Sequence, residues 1–122
     1  MPNSVEQGQS TETMALEYLQ QQGLSLLERN FRCKMGEIDL IMTDNADGLL
    51  FVEVRYRKNN LFGGAAASVT RKKQQKLIRT AQLYLQMKKL SERCYSRFDV
   101  VALSGAKMPY QIEWIKDAFQ AY

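Results

Sequence analysis

Histidine is absent from the 122 residues. Without an imidazole, Ser-His and Cys-His nucleophiles, histidine general bases and nearly every zinc-hydrolase arrangement fall away, because each needs a group that titrates near neutrality or ligates metal through nitrogen. Cysteine is scarce too. Cys33 and Cys94 are too few and too far apart for a disulfide framework or a zinc site, which leaves two reduced thiols in a reducing compartment. No apolar run approaches the roughly 20 residues that cross a bilayer, and the opening MPNSVEQGQS has neither a basic start nor an apolar h-region. These absences point to the cytoplasm and away from a membrane partner. Any chemistry is left to carboxylates, lysines or a hard metal ion.

Hydrophobic residues make up 45% of the chain and charged residues 25%, the balance of a folded globular protein rather than a disordered one. The length suits one domain, expected over 10–122 behind a flexible polar tail over 1–9. A net charge of +4 favours a polyanionic partner, though only weakly. Ala15, Leu16 and Leu19 before the Gly23 stop suit an amphipathic helix from about Ser10 to Gln22. LSLLERNFRC, GEIDLIMT and LLFVEVRYR read as strands, with NADG as the turn between the last two. The glycine-containing segment KNNLFGGAAAS reads as a mobile loop. Leu77, Ile78, Ala81 and Leu85 mark a helix from Thr70 to about Leu90, and RFDVVALS and YQIEWI read as further strands before a last turn in KDAFQAY. The order αβββαββ implies a mixed sheet, because the long helix can return the chain to a parallel strand by a crossover.

A turn centred near Ala46 fixes the register of the hairpin, since antiparallel partners have a constant sum of residue numbers. It sets Asp39 opposite Glu53, Glu37 opposite Arg55 and Ile41 opposite Phe51, all on one face, with Ile38, Leu40, Val52 and Val54 on the other. At about 5 Å and an effective dielectric near 20, two ionised carboxylates repel by about 3 kcal/mol. Such a pair needs a cation, either a divalent metal or a protein side chain. Magnesium and manganese take oxygen ligands, often one or two carboxylates completed by water and phosphate oxygens, and can hydrolyse phosphodiesters. The alternative is structural: Glu37 and Arg55 pair across the strands while Asp39 and Glu53 face solvent.

GEIDLI, FVEVRYR, an FG loop, SVTRKKQQKLIRTAQLYL and RFDVVAL, taken in order, resemble the YraN family of predicted endonucleases. That family belongs to the PD-(D/E)XK restriction-endonuclease-like group and is similar to archaeal Holliday junction resolvases. The resemblance runs from Glu12 to Phe119. It implies a restriction-endonuclease-like mixed α/β sheet flanked by helices, with Asp39 and Glu53 as ligands of Mg2+ or Mn2+ on the second and third strands and Glu12 as an accessory acid. It also implies DNA as partner, branched or single-stranded, and raises a homodimer. Arg55 departs from the group's pattern, standing where the E-x-K element has lysine. An arginine stays cationic and can orient water or neutralise phosphate but cannot shed a proton, so a catalytically inactive nucleic-acid-binding module of the same fold is the alternative function. A protein-interaction domain is a third reading.

Glu12 shares a helical stripe with Ala15, Leu16 and Leu19, which aims it at the sheet; its bland reading is a first-turn acid favoured by the helix dipole. Arg71, Lys72 and Lys73 open the long helix where cations oppose the dipole, a placement that suits a bound anion. Lys73 continues the stripe of Leu77 and Ala81 toward the sheet. Lys76, with Arg57 and Lys58 at the end of the third strand, completes the expected phosphate-binding set; a solvated basic helix is the commoner explanation of such a charge run taken alone, and the neighbouring carboxylate pair favours phosphate. Asp99 reads as structural, bonded to Arg97 or Arg32. Tyr84, Phe98 and Trp114 have the spacing of core residues rather than of base-stacking platforms.

Overall fold

The computed structural model describes residues 4–59, 65–90 and 95–121. Cys94, the first three residues of the expected tail and the middle of the expected mobile loop, 60–64, lie outside them.

The chain forms α1 (Ser4–Gln21), β1 (Ser25–Cys33), β2 (Gly36–Thr43), β3 (Leu49–Arg57), a 3-10 turn (Ala65–Ser68), α2 (Arg71–Met87), β4 (Ser96–Ser104) and β5 (Gln111–Phe119). This is the expected αβββαββ order. The sheet runs β1-β2-β3-β4-β5, antiparallel except for the parallel pair β3 and β4 that α2 connects. It is a mixed α/β sheet with one helix on each face.

Helix α1 buries Ala15, Leu16 and Leu19, three and four residues apart, against Leu40, Met42, Leu50, Val52, Val101 and Leu103. It ends where Gly23 takes a φ of 98° and Leu24 returns its N–H to the Leu19 carbonyl, a turn that a side chain at position 23 would strain. Its start at Ser4 lies upstream of the expected Ser10, so residues 4–9 are helix rather than tail. On the opposite face, α2 buries Leu77, Ile78, Ala81 and Tyr84 against Phe31, Ile41, Phe51, Phe98 and Val100. Thr70 caps this helix by accepting the Lys73 N–H at 3.2 Å.

The hairpin register is the expected one, with Leu40 opposite Val52 and Ile41 opposite Phe51. In its turn, Asp44 Oδ1 accepts the N–H groups of Ala46 and Gly48, and a Cβ on Gly48 would sit 2.9 Å from Asp44 Oδ2. Ile38 departs from expectation, packing with Ile41 and Phe51 on the α2 face rather than with Leu40. The described pairing of β2 with β3 starts at Leu40, and upstream of it β2 follows only β1, where its twist is free to differ.

The expected turn in KDAFQAY is instead strand, as β5 continues to Phe119. A register shift opposite Asp99 accommodates Asp117 at a φ of 52°, and the Asp117 N–H donates to Asp99 Oδ1 at 2.9 Å. Asp99 is fully buried and also accepts from the Arg97 guanidinium at 2.9 and 3.2 Å and from the Trp114 indole at 2.8 Å. Its role is structural. Its arginine is Arg97, while Arg32 is engaged elsewhere. Tyr84 and Phe98 lie in the core, with Tyr84 edge-on to Phe31 and Phe51.

Candidate active site

Where β2 and β3 separate above Leu40 and Val52, their side chains and the first turns of α2 enclose a recess of about 300 Å3, lined by Gly36, Glu37, Asp39, Glu53, Lys73, Lys76 and Leu77. Asp39 and Glu53, opposed in the extrapolated register, meet here. The two carboxyls adjoin closely enough for Glu53 to act on Asp39, and Asp39 Oδ2 accepts the Val54 N–H at 2.8 Å. Glu53 is 5% exposed and Asp39 is half-buried, so the reading in which both acids face solvent fails.

Two adjoining carboxyls cannot both ionise cheaply in such a place. Burial first, then the hydrogen bond and charge of Glu53, push Asp39 from an ordinary 3.8 up to about 9; the Val54 N–H pulls the other way, and Glu12 adds to the rise. Asp39 therefore holds its proton more tightly than an ordinary carboxyl. Lys73 supplies the cation, its Nζ 2.9 Å from Glu53 Oε2. The ammonium is close but poorly aligned, and Oε2 is buried without a hydrogen bond among the described residues. An ion pair at that distance is genuine attraction, yet it leaves a lone pair of Oε2 free to accept a further partner.

A hard divalent cation fits this donor set. The ligands are oxygens, one buried oxygen has spare capacity, and Asp39 holds a proton that a cation would displace. Among the described residues no group of three or more Asp, Glu, Cys or His side chains forms a closed cage. Two carboxylates with the remaining positions open is the usual arrangement for magnesium that also meets phosphate.

Glu12 points at the sheet, as its stripe implied, and its carboxylate is held by Arg29 of β1 at 2.6 Å while the same guanidinium donates to Thr13 Oγ1 at 2.7 Å. Arg29 was not singled out by the sequence, although a charged residue inside the expected strand LSLLERNFRC is the kind of signal that flagged Asp39. Arg55 is not brought to the carboxylates. It donates from Nε to Ser68 Oγ at 3.1 Å and from Nη2 to the Ser68 carbonyl at 2.9 Å, tying β3 to the 3-10 turn. The cross-strand pair of Glu37 with Arg55 is thereby excluded; Glu37 pairs with Arg32 at 2.9 Å, because β2 at that point is in register with β1. Lys76 is exposed at the rim of the recess, and Arg71 and Lys72 are exposed at the start of α2. Arg57, the last residue of β3, and Lys58 just after it are also exposed and line adjoining hollows that share Ser104 and Gln111. Cys33 is a free thiol, and no described helix is long and apolar enough to cross a membrane.

The fold and its recess define a class of protein, a mixed α/β sheet carrying a buried acid pair on adjacent antiparallel strands beneath a helix lysine. The chain belongs to the family described as "Uncharacterised protein family UPF0102", whose model matches residues 11–103, and this bears out the YraN resemblance of its motifs. Among its relatives, a UPF0102 protein of Janthinobacterium sp. (strain Marseille) is 54% identical over 93% of this chain and 87% of its own length. One from Stutzerimonas stutzeri is 46% identical over 99% of this chain and 100% of its own, and one from Nitrosomonas europaea is 50% identical over 98% of each.

Proposed function

We propose that the protein is a metal-dependent endonuclease that hydrolyses phosphodiester bonds in DNA. The observation that carries this reading is the inward-facing pair of Asp39 and Glu53, an arrangement that costs folding energy and leaves Glu53 Oε2 without a hydrogen bond among the described residues. A structural role would be better served by apolar residues.

In this reading Asp39 and Glu53 hold Mg2+ or Mn2+. When bound, such an ion would supply Lewis acidity toward a phosphate oxygen and would lower the pKa of a water. The Val54 N–H keeps Asp39 turned into the recess. Lys73, 42% exposed at its side chain, reaches Glu53 from the helix and is placed to neutralise charge developing on the phosphate, a role the sequence offered to it together with Arg55. Glu12, fixed by Arg29, adds negative potential behind the pair and acts as the accessory acid. Lys76, Arg71 and Lys72 line the approach and bind neighbouring phosphates, as do Arg57 and Lys58 farther along β3.

The test is cleavage of end-labelled branched, single-stranded and duplex DNA with Mn2+, Mg2+ or EDTA, with Asp39→Asn and Glu53→Gln run beside the wild type. Metal-dependent cutting that is lost in both variants while DNA binding remains is the expected result. Cutting retained by either pure variant overturns the assignment, and binding without cutting in all proteins identifies a non-catalytic module.

A further inference from the structure

Glu53, Arg55 and Arg57 alternate along β3 toward one face, each about 6.6 Å from the next. The sheet register continues that face across the neighbouring strands: Arg55 stands beside Ala102 and then Glu113, and Arg57 beside Ser104 and then Gln111. The α2 side of the sheet is covered as far as Ala102, which is 8% exposed and belongs to the core. Beyond it opens a trough of about 490 Å3, lined by Arg57, Ala102, Ser104, Gln111 and Glu113. It continues past Lys58 toward Gly105 and Pro109.

We infer that this trough holds one unpaired nucleotide of the DNA strand whose scissile phosphate lies at Asp39 and Glu53. The inference rests on the proposed nuclease reading and deepens it, because it makes the substrate a strand that is unpaired beside the cut. Charge gives the direction of the strand. The row from the carboxylate recess runs through Arg55 to Arg57 and Lys58, and among the described residues neither of these last two has an ion pair. The opposite wall has different chemistry: Gln111 offers an amide donor and acceptor, Ser104 a hydroxyl, and Glu113 a carboxylate that repels phosphate but accepts from an exocyclic amine or ring N–H. Arg57 thus suits the backbone and the β5 wall suits a base edge. The ring N–H lies on the Watson–Crick edge, which in a duplex is occupied by the complementary base, so an unpaired nucleotide is the one that presents that edge to the β5 wall while its phosphate meets Arg57. The volume is that of a pocket for one small-molecule-sized group.

Fluorescence anisotropy in EDTA tests this without cleavage, using a labelled DNA hairpin with a single-stranded extension and the same hairpin made blunt. The extended probe is expected to bind about tenfold tighter, Gln111→Ala to remove most of that preference while blunt binding persists, and Arg57→Ala to weaken the extended probe more than the blunt one. Arg57→Ala also lowers the salt slope on the extended probe by about 0.7, while Gln111→Ala leaves it unchanged, since only the first removes a phosphate contact. Equal affinity for the two probes, or a preference that survives both substitutions, overturns the trough assignment and leaves the nuclease reading standing. A free deoxynucleoside monophosphate that competes at the same concentration as the extended probe overturns the continuity with the strand. No binding of either probe, with EDTA or with Mn2+, overturns both readings.

Discussion

Lys73 and Glu53 lie 2.9 Å apart in an unequal pair, the carboxylate side chain 6% exposed and the ammonium 42%. The lysine keeps a substantial part of its hydration while the glutamate has lost nearly all of its own. Replacing the lysine therefore harms its partner more than itself. Lys73→Met is expected to destabilise the metal-free protein by about 1–3 kcal/mol, because it leaves a buried carboxylate without its cation. Urea unfolding with EDTA and with Mn2+ checks this: the metal should recover much of the loss, and equal losses in both conditions contradict a cation site at Glu53.

Asp39 gives the pH dependence. Its carboxyl is raised from 3.8 to about 9 in the folded chain, so between those values the native state holds a proton that the unfolded state has released. The stabilisation is complete below pH 3.8 and is lost as the pH climbs through about 9. Its slope is at most about 1.4 kcal/mol per pH unit. Urea midpoints in EDTA should fall across that window for wild type and stay nearly level for Asp39→Asn. Mn2+ affinity should move the opposite way, rising up to about tenfold per pH unit, because the ion displaces that proton. Affinity independent of pH contradicts Asp39 as a ligand.

Arg55 is expected to matter for the fold rather than the chemistry. Its two hydrogen bonds to Ser68 hold the 3-10 turn that precedes α2, so Arg55→Ala should cost about 1–2 kcal/mol. Arg55→Lys should not raise the cleavage rate, since Lys73 already occupies the cationic position at Glu53. A large gain in single-turnover rate for Arg55→Lys would reassign that role.

Glu12 is bonded to Arg29 and acts on Asp39 only through its charge. Glu12→Gln should leave Mn2+ stoichiometry unchanged while lowering metal affinity or cleavage about 10- to 100-fold, the range of partners that support ligands without being ligands. Loss of all Mn2+ binding on calorimetric titration would make Glu12 a ligand itself.

Much of this site was legible because it is local. One turn and strict alternation placed Asp39 against Glu53, and the helical repeat through Leu77 and Ala81 aimed Lys73 at the sheet. The choice between a metal and a protein cation was not legible, nor was the partner of Arg55, because Lys73 and Ser68 reach β3 only through the connection that follows it. Arg29 escaped for the same reason: its contact with Glu12 joins a helix to an edge strand. Ile38 was misplaced because alternation assumes a strand paired on both sides, and β2 lacks described pairing with β3 upstream of Leu40. The length of β5 depended on Asp99 accepting the Asp117 N–H, a tertiary bond with no trace in the spacing of QIEWIKDAF.

Asp39 and Glu53 come from a single hairpin, whereas Lys73 arrives from the far side of the crossover. In a folding chain the two acids meet by closing a short loop, and the lysine joins only when α2 docks. Until then Glu53 lacks the Lys73 ammonium beside it. The site is thus completed only when α2 docks, and the charge of Glu53 is balanced by the same crossover that builds the parallel half of the fold.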